Sequence, residues 1–194
     1  MTRSLRRMGM VWILVALFGA LTISMQASAA GRSQQIAASV LKDIHQATWI
    51  AEGKGPHVAY VFFDPNCPYC HKLYTETRSW IKAGKLELRW IPVGLLTETS
   101  HGKAGAMLDA KDPLTAFYTN EDKYDPSGGL GGVEEALDVS PKAQAALKAN
   151  AALLARTGFG SVPALLFHAD DGESVLIFGA PGQAKLDAIL AHVK

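Results

Sequence analysis

Cys67 and Cys70 are the two cysteines of a 194-residue chain, and they stand two residues apart in the stretch FFDPNCPYCHKLY, residues 62–74. A C-x-x-C pair followed by a histidine supports three chemistries: a dithiol that cycles through a disulfide, half of a zinc site, or the attachment of a c-type haem through C-x-x-C-H. Zinc is the weakest of these, because a structural site takes four ligands and this motif supplies two. The other histidines, His45, His57, His101, His168 and His192, show no ligand spacing among themselves, so no metal is expected. Haem fits a motif that opens a small helical protein, whereas this one follows an apolar strand. Beyond residue 29 a single methionine, Met107, remains as a sixth ligand for haem iron. A purely structural bridge is also poorly served, since closing so short a loop removes almost no entropy from the unfolded chain. The dithiol reading is the strongest, and it needs no organic cofactor.

The flanking residues indicate what must position the sulfurs. HVAYVFF, His57 to Phe63, is β-branched, aromatic and nearly continuous in apolar residues, as a buried central strand is. Asp64-Pro65-Asn66 is turn chemistry, and Asn66 is expected to cap a helix that opens at Cys67, where Pro68 is tolerated in the first turn. Cys70, Leu73, Tyr74, Thr77 and Ile81 then fall on one helical face until Gly84. At a helix N-terminus the free N–H groups and the dipole favour thiolate over thiol. Cys67 is therefore expected to be the exposed attacking sulfur, and Cys70, one turn on and on the apolar face, the buried resolving one. His71 is expected on the helix surface, modulating the charge of the pair.

The N-terminus bears on compartment. Arg3, Arg6 and Arg7 precede an apolar run from Met8 to Ile23, and Ala27-Ser28-Ala29 matches an A-x-A cleavage site. Residues 1–29 are read as a cleaved signal peptide and the product as periplasmic, a compartment in which disulfides persist. Removing that segment takes 3 of 19 basic residues and no acidic ones, leaving 16 against 18. That balance points to neither nucleic acid nor a membrane surface as partner.

The remaining 165 residues suit one domain with a real core. Residues 30–56 read as an N-terminal segment with one helix from Ser33 to about Trp49, and residues 57–194 as the catalytic domain. ALLFH (164–168) and SVLIF (174–178) are apolar strands joined by a hairpin turn at Asp171-Gly172, followed by a helix bearing Leu186, Ile189, Leu190 and Val193. Residues from about 98 to 160 carry mostly helical signals, clearest in Ser140–Gly158, where Ser140 caps and Pro141 starts. The glycine-rich stretch within 124–132 lacks the lysine and the strand-to-helix frame of a phosphate loop and reads as a surface loop. Trp80 and Trp90 are expected to pack in the core.

With these residues in view, the chain resembles the periplasmic thiol:disulfide interchange proteins of the DsbC/DsbG type. The resemblance rests on the strand, FFDPNCPYC and helix, on WIKAGKLELRWIPVGLL, and on SVPALLF with its hairpin and final helix, and it runs from about Trp49 to the C-terminus. It implies a thioredoxin-like α/β fold with a helical insertion between the second strand and the strand opened by Pro163. It also implies that Pro163 is cis and faces the cysteines, that Val162 before it docks the substrate peptide, that Pro68 and Tyr69 tune the dithiol, and that Asp64 modulates it. Partners would be cysteine-containing exported proteins and a membrane redox protein that resets the pair. Val162 stands where the DsbC/DsbG type usually has threonine and resembles the oxidase DsbA instead, which leaves the direction of reaction open. The short segment before the first strand resembles the family's linker without its dimerisation domain, and a monomer is expected. A non-enzymatic alternative is a thioredoxin-like module that holds unfolded peptides.

Overall fold

The computed structural model describes residues 31–194; the signal-peptide expectation for residues 1–29 lies outside them. Helix α1 occupies residues 31–42 and is followed by a single 3-10 turn, Ile44–Gln46. Five strands, β1 (Ile50–Gly53), β2 (His57–Phe63), β3 (Leu86–Pro92), β4 (Ala164–His168) and β5 (Ser174–Phe178), form one sheet in the order β1-β3-β2-β4-β5. Strands β2 and β3 are parallel, joined by helix α2 (Pro68–Lys82); every other neighbouring pair is antiparallel. Helices α3 (Ser100–Asp109), α4 (Pro113–Asp122) and α5 (Pro141–Ala155) lie between β3 and β4, and α6 (Gln183–Leu190) closes the chain.

The period of two along each strand sorts the core onto two faces. Ala59, Val61 and Phe63 of β2, Leu86, Leu88 and Trp90 of β3, and Leu165 and Phe167 of β4 pack with Leu73 and Tyr74 of α2, Met107 of α3, Phe117 of α4, and Leu186 and Leu190 of α6. Phe62, Ile91, Ala164 and Leu166 point the other way, against Val40, Leu41, Ile44 and Ala47 from the N-terminal segment and Leu153 and Leu154 of α5. Both faces of the central strands are thus covered, which is why HVAYVFF has no polar face.

Three sequence expectations are corrected. The N-terminal helix ends at residue 42, short of Trp49, and is no free linker: it covers one face of the sheet. Burying Val40, Leu41 and Ile44 there contributes about 1.5–3 kcal/mol each at most, and Arg156 ties the helix to the end of α5 through Asp43 (2.9 Å) and the Ser39 carbonyl (2.8 Å). His57 does not open the first strand, because β1 precedes it and pairs antiparallel with β3. Its inward residues are Ile50 and Glu52, and Glu52 is completely buried, accepting the N–H groups of the two terminal guanidinium nitrogens of Arg78 and the Trp90 indole N–H. Asn66 does not cap α2. Cys67 does, with extended backbone (φ −85°, ψ 115°) and its sulfur accepting the Cys70 N–H at 3.3 Å.

The end of α2 and the start of α5 follow the sequence. Gly84 takes a left-handed φ of 65° just past the helix, a conformation costly for other residues. Ser140 Oγ accepts the Ala143 N–H at 3.1 Å ahead of Pro141.

Candidate active site

The parallel strands β2 and β3 end on the same side of the sheet, and the chain leaves β2 straight into the cysteine turn. The Asp64 carbonyl accepts the Cys67 N–H (3.1 Å), and the Cys67 carbonyl accepts the N–H groups of Cys70 (3.0 Å) and His71 (3.1 Å), which winds α2 directly onto the turn. Both thiols are unbridged. Opposite them, the Val162-Pro163 peptide bond is cis, and the Cys67 thiol points at the Val162 carbonyl, 3.7 Å away. Strand β4 starts at the next residue, Ala164, which pairs with Phe62 of β2. The sheet register therefore sets the cysteine turn and the cis-proline face to face.

The two sulfurs differ electrostatically. Hydrogen bonding to Cys70, from its side chain and its backbone N–H, pulls the Cys67 thiol below its ordinary range, against opposition from burial and from the charge of Asp64. Burial pushes the Cys70 thiol well above that range, and the hydrogen bond and charge of Cys67 push the same way. Of the two thiols, Cys67 is the one that ionises more readily and Cys70 the one that holds its proton.

One expectation about Cys67 fails: it is not exposed. It is 3% accessible and Cys70 1%, whereas Pro68 and Tyr69 between them are exposed, Tyr69 at 61%. The Val162 carbonyl lies against the sulfur from 95 residues away, and no local pattern reports it. Pro163 is buried and Val162 half-buried.

Asp64 is fully buried and accepts four hydrogen bonds. Its Oδ1 takes the Asn66 N–H (3.0 Å) and the Ser100 hydroxyl (2.7 Å), and its Oδ2 takes the N–H groups of Leu95 (2.5 Å) and Leu96 (3.0 Å). Asn66, beside it, donates to the hydroxyls of Thr97 (2.7 Å) and Thr99 (2.9 Å), while its carbonyl accepts the Gly131 N–H (3.0 Å). These two side chains fasten the loop after β3 and the glycine-rich loop to the cysteine turn. Gly131 must be a glycine: a Cβ there would lie 1.9 Å from Asn120 Oδ1 and 2.4 Å from the Pro65 carbonyl.

His71 is half-buried rather than free on the surface. Its Nδ1 meets Glu121 Oε2 at 3.1 Å, and its ring stacks on Tyr124, centroids 4.3 Å apart and 8° from parallel. Glu121, Tyr124, Asn66 and the Leu95–Ser100 loop are site residues the sequence does not announce. The hydroxyl run Thr97, Thr99, Ser100 is the one pattern that hints at any of them. Among the described residues no group of three or more His, Cys, Asp or Glu side chains is placed to hold a metal ion. Nor is any helix among them long and apolar enough to cross a membrane.

A helix-capping thiol, a buried second thiol one turn on and a cis-proline opposite them define the class: a thioredoxin-fold protein with a vicinal dithiol at the end of its central strand. Comparison with known proteins agrees. Residues 44–194 match the thioredoxin-like domain model, and the chain belongs to that family. It is 32% identical over 157 residues to the thiol:disulfide interchange protein DsbG of Pseudomonas aeruginosa, covering 80% of this chain and 60% of that protein. To DsbG of Escherichia coli it is 30% identical over 151 residues, covering 77% and 59%. The chain thus spans about three fifths of the length of these curated relatives. Among solved structures, a linker-deletion variant of Proteus mirabilis ScsC superposes with a TM-score of 0.66 at 16% identity over 92% of each chain. The thiol-disulfide exchange protein alpha-DsbA2 of Wolbachia pipientis gives 0.61 at 16% identity over 83% of this chain and 97% of that one. These two share the fold.

Proposed function

We propose that this chain is a thiol:disulfide oxidoreductase of the periplasm that exchanges disulfides with cysteine-containing exported proteins. The observation that carries the reading is the opposed character of the two thiols: Cys67 capping α2 beside Val162-Pro163 with its thiol lowered, and Cys70 buried with its thiol raised. In the reducing direction the Cys67 thiolate attacks one sulfur of a client disulfide. A Cys67–client bond forms, and the other client sulfur leaves with the bond's electron pair and takes up a proton. Cys70 then loses its proton and attacks Cys67 Sγ; the Cys67–Cys70 disulfide forms and the second client thiol departs. The oxidising direction is the same path reversed. Val162 offers backbone groups to the client segment, Pro68 and Tyr69 form the exposed surface between the sulfurs, and Asp64 and His71 tune them. Residues 31–56 pack on the catalytic domain and add β1 to its sheet, and we read the protein as a monomer. A membrane redox protein resets the dithiol, and no metal or organic cofactor takes part. The match to DsbG supports the exported location and the client class.

Alkylation across pH tests this. Cys67 is expected to react below the ordinary thiol range of about 8.5 while Cys70 resists modification in the native protein. Equal labelling of both with an ordinary thiol profile would overturn it. A binding-only module would suppress aggregation of a reduced client equally well after both cysteines are changed to serine, and turnover of a disulfide substrate by the unmutated protein excludes that reading.

A further inference from the structure

The two edges of the sheet are guarded unequally. Strand β1 is four residues long and turns the Glu52 carboxylate inward, and shortness and an inward charge are both devices that keep an edge from pairing with another chain. Strand β5, SVLIF, has no lysine, proline or charge in its length, and it is paired on one side only. Its register fixes which backbone groups are left over. Gly179 donates to the Pro163 carbonyl (2.9 Å) and Ala169 to the Glu173 carbonyl (2.8 Å), at the two ends of the β4–β5 ladder. In an antiparallel pair bonded residues alternate with residues that turn away, so Val175 and Ile177 bond to β4. Ser174, Leu176 and Phe178 direct their N–H and C=O groups outward, past the last strand of the sheet.

The side chains beside that row are apolar on both faces. Val175 and Ile177 border a groove of about 400 Å³ against Ala188 and Ile189 of α6, with Lys185 on its rim. On the other face Phe178 meets the ring of Phe159, centroids 5.3 Å apart, and Phe159 is 79% exposed. All five residues of β5 are half-buried, which leaves apolar surface for a further strand to cover. The two ends of the edge differ. At the hairpin, Asp170 is matched by His192 (3.2 Å), whereas Asp171 and Glu173 are exposed and no basic side chain among the described residues pairs with them. That end is acidic. The other end lies at the dithiol site, where Phe178 pairs with Ala164, the residue after Pro163.

We infer that the outer edge of β5 is a second docking site for the client, which adds an extended segment to the sheet as a sixth strand while its disulfide is exchanged at Cys67. This rests on the oxidoreductase reading and names the kind of client: a locally unfolded chain that presents a bare backbone, apolar side chains on both faces of it, and a basic residue beside Glu173. Backbone hydrogen bonds supply the affinity and the flanking side chains select. A client whose own strands are already paired has no such backbone to offer. The added strand runs antiparallel to β5, with its C-terminal end by Glu173 and its N-terminal end by Phe178. The client cysteine therefore precedes the docked segment in sequence.

The probe is the peptide Val-Thr-Val-Thr-Val-Lys, which has no cysteine. In the unmutated protein the amides of Ser174, Leu176 and Phe178 should exchange hydrogen fast and those of Val175 and Ile177 slowly, and the peptide should slow the first three by about tenfold or more. The same peptide N-methylated at every valine and threonine should leave them unchanged, a control that does not touch the protein. Glu173→Lys should weaken binding of this peptide and strengthen binding of one ending in glutamate, while reduction of oxidised glutathione stays within about twofold. In turnover, a cysteine joined ahead of the segment by a short flexible linker and held as a mixed disulfide with glutathione should be reduced with kcat/KM about tenfold or more above the same disulfide without the segment. Unprotected amides, equal protection by the methylated peptide, or a kcat/KM indifferent to the segment would overturn the inference. Protection that appears without peptide and grows with protein concentration would assign the edge to a second copy of the chain and overturn it too. Failure to reduce either disulfide would instead overturn the oxidoreductase reading beneath it, whatever the amides show.

Discussion

Replacing Asp64 by asparagine separates two roles that one carboxylate plays. The side chain is fully buried and accepts four hydrogen bonds, two on each oxygen. Asparagine has the same shape, so its carbonyl oxygen keeps one pair and its amide turns donors toward the other. If the Ser100 and Asn66 bonds are kept, the N–H groups of Leu95 and Leu96 lose their acceptor and face an N–H instead. Hydrogen bonds to a charged group contribute about 1.5–3 kcal/mol each, so losing two costs about 3–6 kcal/mol. For a chain of this size that lowers the melting temperature by roughly 6–24 °C. The effect on chemistry has the opposite sense. Asp64 carries a charge that opposes ionisation of Cys67, so removing it should lower the thiol's pKa further, although the protein becomes less stable. Thermal melts by circular dichroism give the first quantity, and thiolate absorbance near 240 nm against pH gives the second. A loss below about 1 kcal/mol, or a Cys67 thiol that becomes harder to ionise, would refute the reasoning.

Arg78→Met should destabilise by about 3–5 kcal/mol in urea denaturation, because it strands the buried Glu52 carboxylate, and Glu52→Leu added to it should recover most of that loss. A double variant no better than the single would show that the pair is not the cause. Gly131→Ala should destabilise and loosen the glycine-rich loop, since its Cβ meets a carbonyl oxygen of the backbone as well as the Asn120 side chain; proteolysis near residues 124–132 reads this directly, and an unchanged digestion rate contradicts it. The reduced protein should lose stability as pH rises past the ordinary thiol range, because unfolded Cys70 ionises there and folded Cys70, raised by burial, does not. Cys67 runs the other way, its contribution present above the unfolded thiol pKa and lost as pH falls through the lowered folded value. Melts of the Cys70→Ala variant should lack the alkaline loss.

The parts of this fold that were legible in the sequence are those in which a short-range pattern and the tertiary structure agree. HVAYVFF and ALLFH read correctly because each is a nearly unbroken apolar run that burial then honours, and the α2 face because its apolar residues recur at the helical period. Ser140 and Pro141 start α5 as written. Strand β1 was hidden because its inward Glu52 looks like a surface residue until Arg78, 26 positions away, is brought to it. Asn66 has the right identity for a helix cap, yet its amide is drawn to hydroxyls more than thirty residues downstream, and the cysteine after it takes the cap. Glu121 sits in a helix whose local sequence, PLTAFYTNED, gives no sign that one acidic residue near its end turns inward. Each of these three misses is a polar side chain whose partner is distant in sequence, and no periodicity encodes such a partner.

The covering of Cys67 has a kinetic consequence. Its sulfur is ionised in preference to its neighbour's but almost sealed from solvent, so the rate at which a reagent modifies it is the intrinsic rate multiplied by the fraction of molecules in which the cover has parted. Small electrophiles and bulky ones of equal intrinsic reactivity should then be ranked by size, and mild denaturant should speed the bulky ones before the protein unfolds. Under the proposed exchange, a flexible client segment lying along Val162 would supply its own opening, whereas a rigid disulfide of equal reactivity would have to wait for one. The thiol would thereby discriminate by the pliability of what approaches it, a selectivity that its acidity alone would not give.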